Sequence, residues 1–141
     1  MIQHIDHIGI AVVSLDESVP LFERLLGRPC DGIETVEEQR VRTAFFRFGD
    51  MSLELLEPLE DSTGVAAFLQ KRGQGMHHVA FASDDVAADL NRIGASGARL
   101  IDSAPRPGAG GRQVGFVHPK SASGVLVELC GPVGSPQRDA G

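Results

Sequence analysis

The sequence reads twice. Ile5-Asp6-His7-Ile8-Gly9-Ile10-Ala11-Val12 and Met76-His77-His78-Val79-Ala80-Phe81-Ala82-Ser83 are both strand patterns with a His near the start. In each, residues of one parity are small (Gly9, Ala11; Ala80, Ala82) and those of the other are large (Ile8, Ile10, Val12; Val79, Phe81). Side chains alternate faces along a strand, so each His shares its face with small residues and the large ones are left to pack on a helix. A helical stripe follows each strand: Val19, Phe22, Leu25 and Leu26 before Gly27, then Val86, Leu90 and Ile93 before Gly94 and Gly97. Ser14, Asp16 and Ser18 are all possible N-caps of the first helix, and Pro20 favours a late start, because proline is tolerated only in a first turn. Strands then close each half. Thr43 to Phe48 and Ser52 to Leu56 flank the turn Gly49-Asp50; Gln113 to His118 and Gly124 to Cys130 flank a turn at 119–123. The last strands match, with Glu54 and Glu128 each set between apolar neighbours.

The expected architecture is therefore α+β: two tandem β-α-β-β-β modules pairing into an open, curved mixed sheet. The modules span 1–58 and 76–131. A linker over 59–75 holds a short helix, Val65 to Arg72, capped by Ser62 or Thr63. A Gly-, Pro- and Ser-rich tail over 132–141 is expected to fray. All of this makes one domain.

Equivalent residues of two such modules can face each other across a cleft. That brings His7, Glu54, His78 and Glu128 together. Two imidazoles and two carboxylates suit a borderline divalent cation, Co, Zn, Ni, Mn or Fe(II), and leave two positions of an octahedral ion open for a chelating substrate. A lone strand His, or a lone Glu between apolar residues, would signify little. The same residue types at the same places in both halves signify a site, because a cation offsets the cost of burying carboxylates. The net charge of −6 argues against a nucleic-acid binder, which would need a basic face. No apolar run approaches a membrane span, and the N-terminus lacks a secretory layout, so a cytosolic protein is expected. Cys30 and Cys130 form no CxxC pair and are expected as free thiols.

These residues resemble the vicinal-oxygen-chelate superfamily (glyoxalase, bleomycin-resistance and dioxygenase proteins), and within it the methylmalonyl-CoA epimerases. The match runs from Ile5 to Leu129. It includes Asp6-His7-Ile8-Gly9-Ile10-Ala11-Val12, Leu53-Glu54-Leu55-Leu56-Glu57-Pro58-Leu59, Gly75-Met76-His77-His78-Val79-Ala80-Phe81, His118-Pro119-Lys120-Ser121 and Gly124-Val125-Leu126-Val127-Glu128-Leu129. The resemblance implies a glyoxalase-like fold and a divalent ion on His7, Glu54, His78 and Glu128, with His77 on the opposite face. It further implies an acyl-CoA substrate and a homodimer. It nominates Glu128 as ligand and base.

The second base is where this chain departs from the pattern. Some epimerases carry a Glu on the strand that here holds Thr43, and a hydroxyl is a poor proton acceptor at neutral pH. The symmetric reading assigns that role to Glu54; Glu38 is the other candidate. Arg40, Arg42, Arg106, Arg112 and Lys120 are candidate contacts for CoA phosphates. Gly108-Ala109-Gly110-Gly111 is either a solvated loop or a place where backbone approaches ligand. His118-Pro119-Lys120 reads as a turn. The rival readings are a glyoxalase I-like lactoylglutathione lyase, an extradiol dioxygenase using only His7, His78 and Glu128, and a ligand-sequestering protein without turnover. Glu54 counts against the last two, because a fourth protein ligand narrows the open positions a dioxygenase needs, and a mere binder needs no pair of acid/base carboxylates.

Overall fold

The computed structural model describes residues 1–133; residues 134–141 of the expected tail lie outside them. The chain is α+β. Its elements run β1 (Ile2–Ala11), α1 (Leu15–Leu26), β2 (Gly32–Val36), β3 (Val41–Phe48), β4 (Met51–Pro58), α2 (Gly64–Arg72), β5 (Gly75–Ser83), α3 (Val86–Ala95), β6 (Arg106–Pro107), β7 (Gln113–Val117) and β8 (Val127–Gly131). The β-α-β-β-β order thus occurs twice, with α2 between the copies, as the repeat requires. The chain forms two compact units, His7–His77, and Met1–Asp6 with the chain from His78 on.

In the His7–His77 unit the strands lie in the order β2-β3-β4-β1. β1 pairs parallel with β4, while β3 pairs antiparallel with both β2 and β4. The large residues of β1 do what their parity demands. Ile10 and Val12 join Leu15, Phe22 and Leu26 of α1 over Ala44, Phe46, Leu53 and Leu55. The helix begins at Leu15, earlier than Pro20 alone suggests, with Ser14 extended as its N-cap and accepting from Ser18 N–H at 3.0 Å. Pro20 sits in the second turn and deletes one backbone hydrogen bond. Burial of Leu15 in the core, 1 % exposed, outweighs that loss. Leu25, read as part of the apolar stripe, is exposed. The linker helix is capped by Thr63, whose Oγ1 accepts from Ala66 N–H at 3.0 Å.

In the other unit the order is β5-β8-β7-β6. β5 pairs parallel with β8 and β7 antiparallel with β8. Phe81 packs with Val86, Leu90 and Ile93 of α3 and with Leu129. Two glycines fix how tightly these layers meet. A Cβ on Gly115 would stand 2.6 Å from a Leu90 methyl, and one on Gly131 would run into the Ser83 carbonyl oxygen. Backbone cannot retreat as a side chain can. Gly131→Ala is therefore expected to cost about 1–3 kcal/mol, read as a lowered denaturation midpoint. A midpoint equal to wild type would show that β8 is free to shift.

Candidate active site

The two copies build their polar pairs by the same register. On the β1/β4 ladder Gly9 faces Glu54, and His7 lies two residues before Gly9. On the β5/β8 ladder Ala80 faces Glu128, and His78 lies two residues before Ala80. In each case the His and the Glu emerge on one face of adjacent parallel strands, with only a Gly or an Ala opposite the carboxylate. His7 Nδ1 is 3.5 Å from Glu54 Oε2, and His78 Nε2 is 3.0 Å from Glu128 Oε1. All four side chains are buried: His7 is 4 % exposed, Glu54 6 %, His78 6 % and Glu128 5 %.

The surroundings repeat as well. Phe45 on β3 faces Glu54, and Phe116 on β7 faces Glu128. Arg47 lies over the Phe45 ring at 5.4 Å and Arg106 over the Phe116 ring at 5.3 Å. The Phe116 ring also meets the His78 imidazole edge-on, with centroids 6.1 Å apart. Ser52 Oγ donates to Glu54 Oε2 at 3.3 Å. His77 turns the other way and packs edge-on against Phe68 of α2, the face the sequence assigns to it.

This donor set fits a divalent cation. Cis ligands at about 2.1 Å from one ion stand about 3 Å apart, close to the nitrogen–oxygen separation within each pair. Imidazole and carboxylate are the donors that borderline cations take. A buried carboxylate also needs a positive partner more than a neutral one.

Two residues on this face escape or qualify the sequence reading. Thr43 is 1 % exposed and pairs with Leu56 on one side and Glu34 on the other. Glu34 therefore shares the Glu54 face, although the sequence reading did not single it out. No apolar–polar alternation marks Ile33-Glu34-Thr35-Val36, and the register with β3 alone brings Glu34 to this face. Glu38 lies instead in a 3-10 turn, Glu37–Gln39, off the strand.

The cations proposed for CoA phosphates are largely engaged elsewhere. Arg40 pairs with Glu37 and Glu60, Arg42 with Glu57, Arg106 with Asp102 and Arg112 with Asp6. His118 caps a turn, its Nδ1 accepting from Lys120 N–H at 3.0 Å. Burial, then the charges of Arg99 and Lys120, hold its imidazole below the usual range. A neutral capping His agrees with the turn reading of His118-Pro119-Lys120. Neither cysteine is in a disulfide; Cys130 is fully buried and Cys30 partly.

Tandem β-α-β-β-β modules with a His–Glu pair in each define a metal-site class of α+β protein. The chain belongs to the glyoxalase/bleomycin resistance protein/dioxygenase superfamily, whose family model matches residues 6–116. Within that superfamily its relatives include methylmalonyl-CoA epimerases. The mitochondrial methylmalonyl-CoA epimerase of Dictyostelium discoideum is 36% identical over 126 residues, 89% of this chain and 76% of that protein. A solved single-substitution variant of Streptomyces coelicolor methylmalonyl-CoA epimerase in complex with 2-nitronate-propionyl-CoA superposes with a TM-score of 0.89 at 38% identity, covering 94% of this chain and 96% of that one. An uncharacterized protein of Bacillus subtilis is 44% identical over 135 residues, 96% of each chain.

Proposed function

We propose that the protein is a metal-dependent epimerase that interconverts the R and S forms of a 2-methylmalonyl thioester of CoA. The observation that carries this reading is the pair of buried His–Glu sets in identical register, taken with the epimerase relatives. His7, Glu54, His78 and Glu128 are proposed to hold one divalent ion, Co, Zn, Ni, Mn or Fe(II). Bound there, such an ion supplies Lewis-acid stabilisation of the negative charge that develops on the thioester oxygen.

The chain's own residues then account for the proton traffic. The reacting carbon lies between a thioester and a carboxylate, which makes its proton acidic enough for a carboxylate base. Glu128 removes that proton from one face. Glu54, from the other copy of the module, returns a proton to the opposite face, and the roles reverse for the other epimer. Phe45 and Phe116, each opposite one of these carboxylates, keep the bases in apolar surroundings. Thr43 carries no proton in this scheme. Thr43→Val is accordingly expected to retain epimerisation within about threefold of wild type, whereas a Thr43-centred mechanism demands a loss of about 10²-fold or more; initial rates with methylmalonyl-CoA decide.

The paired glutamates favour one rival, a glyoxalase I-like lactoylglutathione lyase, which would use the same two carboxylates on a glutathione hemithioacetal. Parallel assays of both substrates test the proposal. The epimerase reading requires methylmalonyl-CoA turnover to exceed hemithioacetal turnover; the reverse order overturns it. The cytosol and a homodimeric state complete the proposal. The homodimeric state rests on the family resemblance; for the cytosol, the support is that among the described residues no helix is long and apolar enough to cross a membrane.

A further inference from the structure

We propose that Arg112 is a positioning residue for the metal-ligating strands, delivered to its place by the glycine-rich turn that precedes it. The inference rests on the metal reading above and adds a residue that reading does not use. The Arg112 guanidinium makes a two-pronged contact with Asp6: Nη1 donates to Oδ1 at 3.0 Å and Nη2 to Oδ2 at 2.6 Å. The same Nη2 lies 3.5 Å from Cys130 Sγ. Asp6 immediately precedes His7 in β1. Cys130 lies two residues beyond Glu128, on the same face of β8. One side chain therefore holds the strand that leads into one proposed ligand and the strand that carries another.

The turn is shaped for this delivery. Gly110 and Gly111 have φ of 68° and 72°, left-handed values that other residues rarely adopt. Gly108 has no room for a side chain, since a Cβ there would stand 2.5 Å from Val114 Cγ1. Gly108 N–H donates to Arg112 carbonyl oxygen at 2.9 Å, closing the turn on itself. Immediately afterwards β7 begins, with Gln113 opposite Gly131 and Val114 opposite Cys130. Arg112 thus leaves a rigid turn at a fixed point beside Cys130. A two-pronged guanidinium–carboxylate contact fixes orientation as well as distance, which a lysine cannot match. Asp6 has a side chain 14 % exposed, so losing the two-pronged cation would weaken the compensation of a nearly buried charge and displace the chain at His7.

The test is cobalt affinity, measured by competition with a chromophoric chelator on the full-length protein. Asp6→Asn and Arg112→Gln are each expected to weaken cobalt binding about 10–100-fold while far-UV circular dichroism stays that of wild type. The double variant is expected to be no weaker than the worse single, because both remove one contact. Should either single fail to fold, Arg112→Lys decides, since it keeps the charge and loses the fork; weakening of about tenfold or more supports the proposal. Affinity within threefold of wild type in folded variants, or strictly multiplicative losses in the double, would overturn it. Wild-type protein that takes up no cobalt would instead sink the metal reading, and this inference with it.

Discussion

Glu128→Gln is expected to lower α-proton exchange of methylmalonyl-CoA by about 10³-fold or more. Two losses combine at this residue. The amide cannot accept a proton from carbon at neutral pH, and as a neutral donor it weakens any cation held with His78, 3.0 Å away. The size of the effect separates the roles. A pure ligand role predicts that saturating cobalt restores most of the rate. A base role predicts that cobalt restores binding and not exchange, and this second outcome is the one expected. The fold should survive, because Gln matches Glu in shape at a strand position facing Ala80 and Phe116. Full restoration of exchange by added metal would remove Glu128 from proton transfer.

Phe46→Ala is expected to destabilise the protein by about 3–5 kcal/mol. Phe46 is wholly inaccessible to solvent and sits where α1 meets β3 and β4, among Val12, Leu15, Ala44 and Leu55. Its ring lies 6.4 Å from that of Phe22 on α1. The hole left behind borders helix and sheet together, so no single side chain can relax into it. Chemical denaturation reads the loss directly as a lower midpoint at unchanged slope. The consequence reaches function, because Phe46 pairs with Leu53 one residue before the Phe45–Glu54 pair. A loss under about 1 kcal/mol would mean that the α1 side of this unit is far less tightly packed than the structure indicates.

The two His–Glu pairs were legible in the sequence for a physical reason. Alternation fixes which residues share a strand face, and duplication makes a second copy check the first. His7 with Gly9 and Ala11, and His78 with Ala80 and Ala82, need only the two-residue period of a strand to be placed. The resemblance leaves His77 on the face opposite His78, and there it meets Phe68 of α2. What was not legible depends on partners far away in the chain. The choice of Ser14 over Asp16 and Ser18 as the cap of α1 goes with burial of Leu15, which local cap and proline rules cannot see. Glu34 lies on β2, five residues opening on a glycine, and gains its place opposite Thr43 only through the register with β3. For Arg40, Arg42, Arg106 and Arg112 charge alone is visible in the sequence. Their carboxylate partners, from Glu37 close by to Asp6 across most of the chain, are fixed by tertiary structure. The glycines at 108–111 were ambiguous for the same reason, since Val114 and the left-handed turn explain them only in three dimensions.

The most direct measurement follows the α-proton of methylmalonyl-CoA in deuterated water, using protein stripped by a chelator and the same protein after a divalent ion is restored. Deuterium is expected to enter the substrate rapidly with the ion and at background rate without it. Exchange that ignores the ion, or that never rises above background with any of the five cations, would contradict the proposal that His7, Glu54, His78 and Glu128 act on a single metal centre.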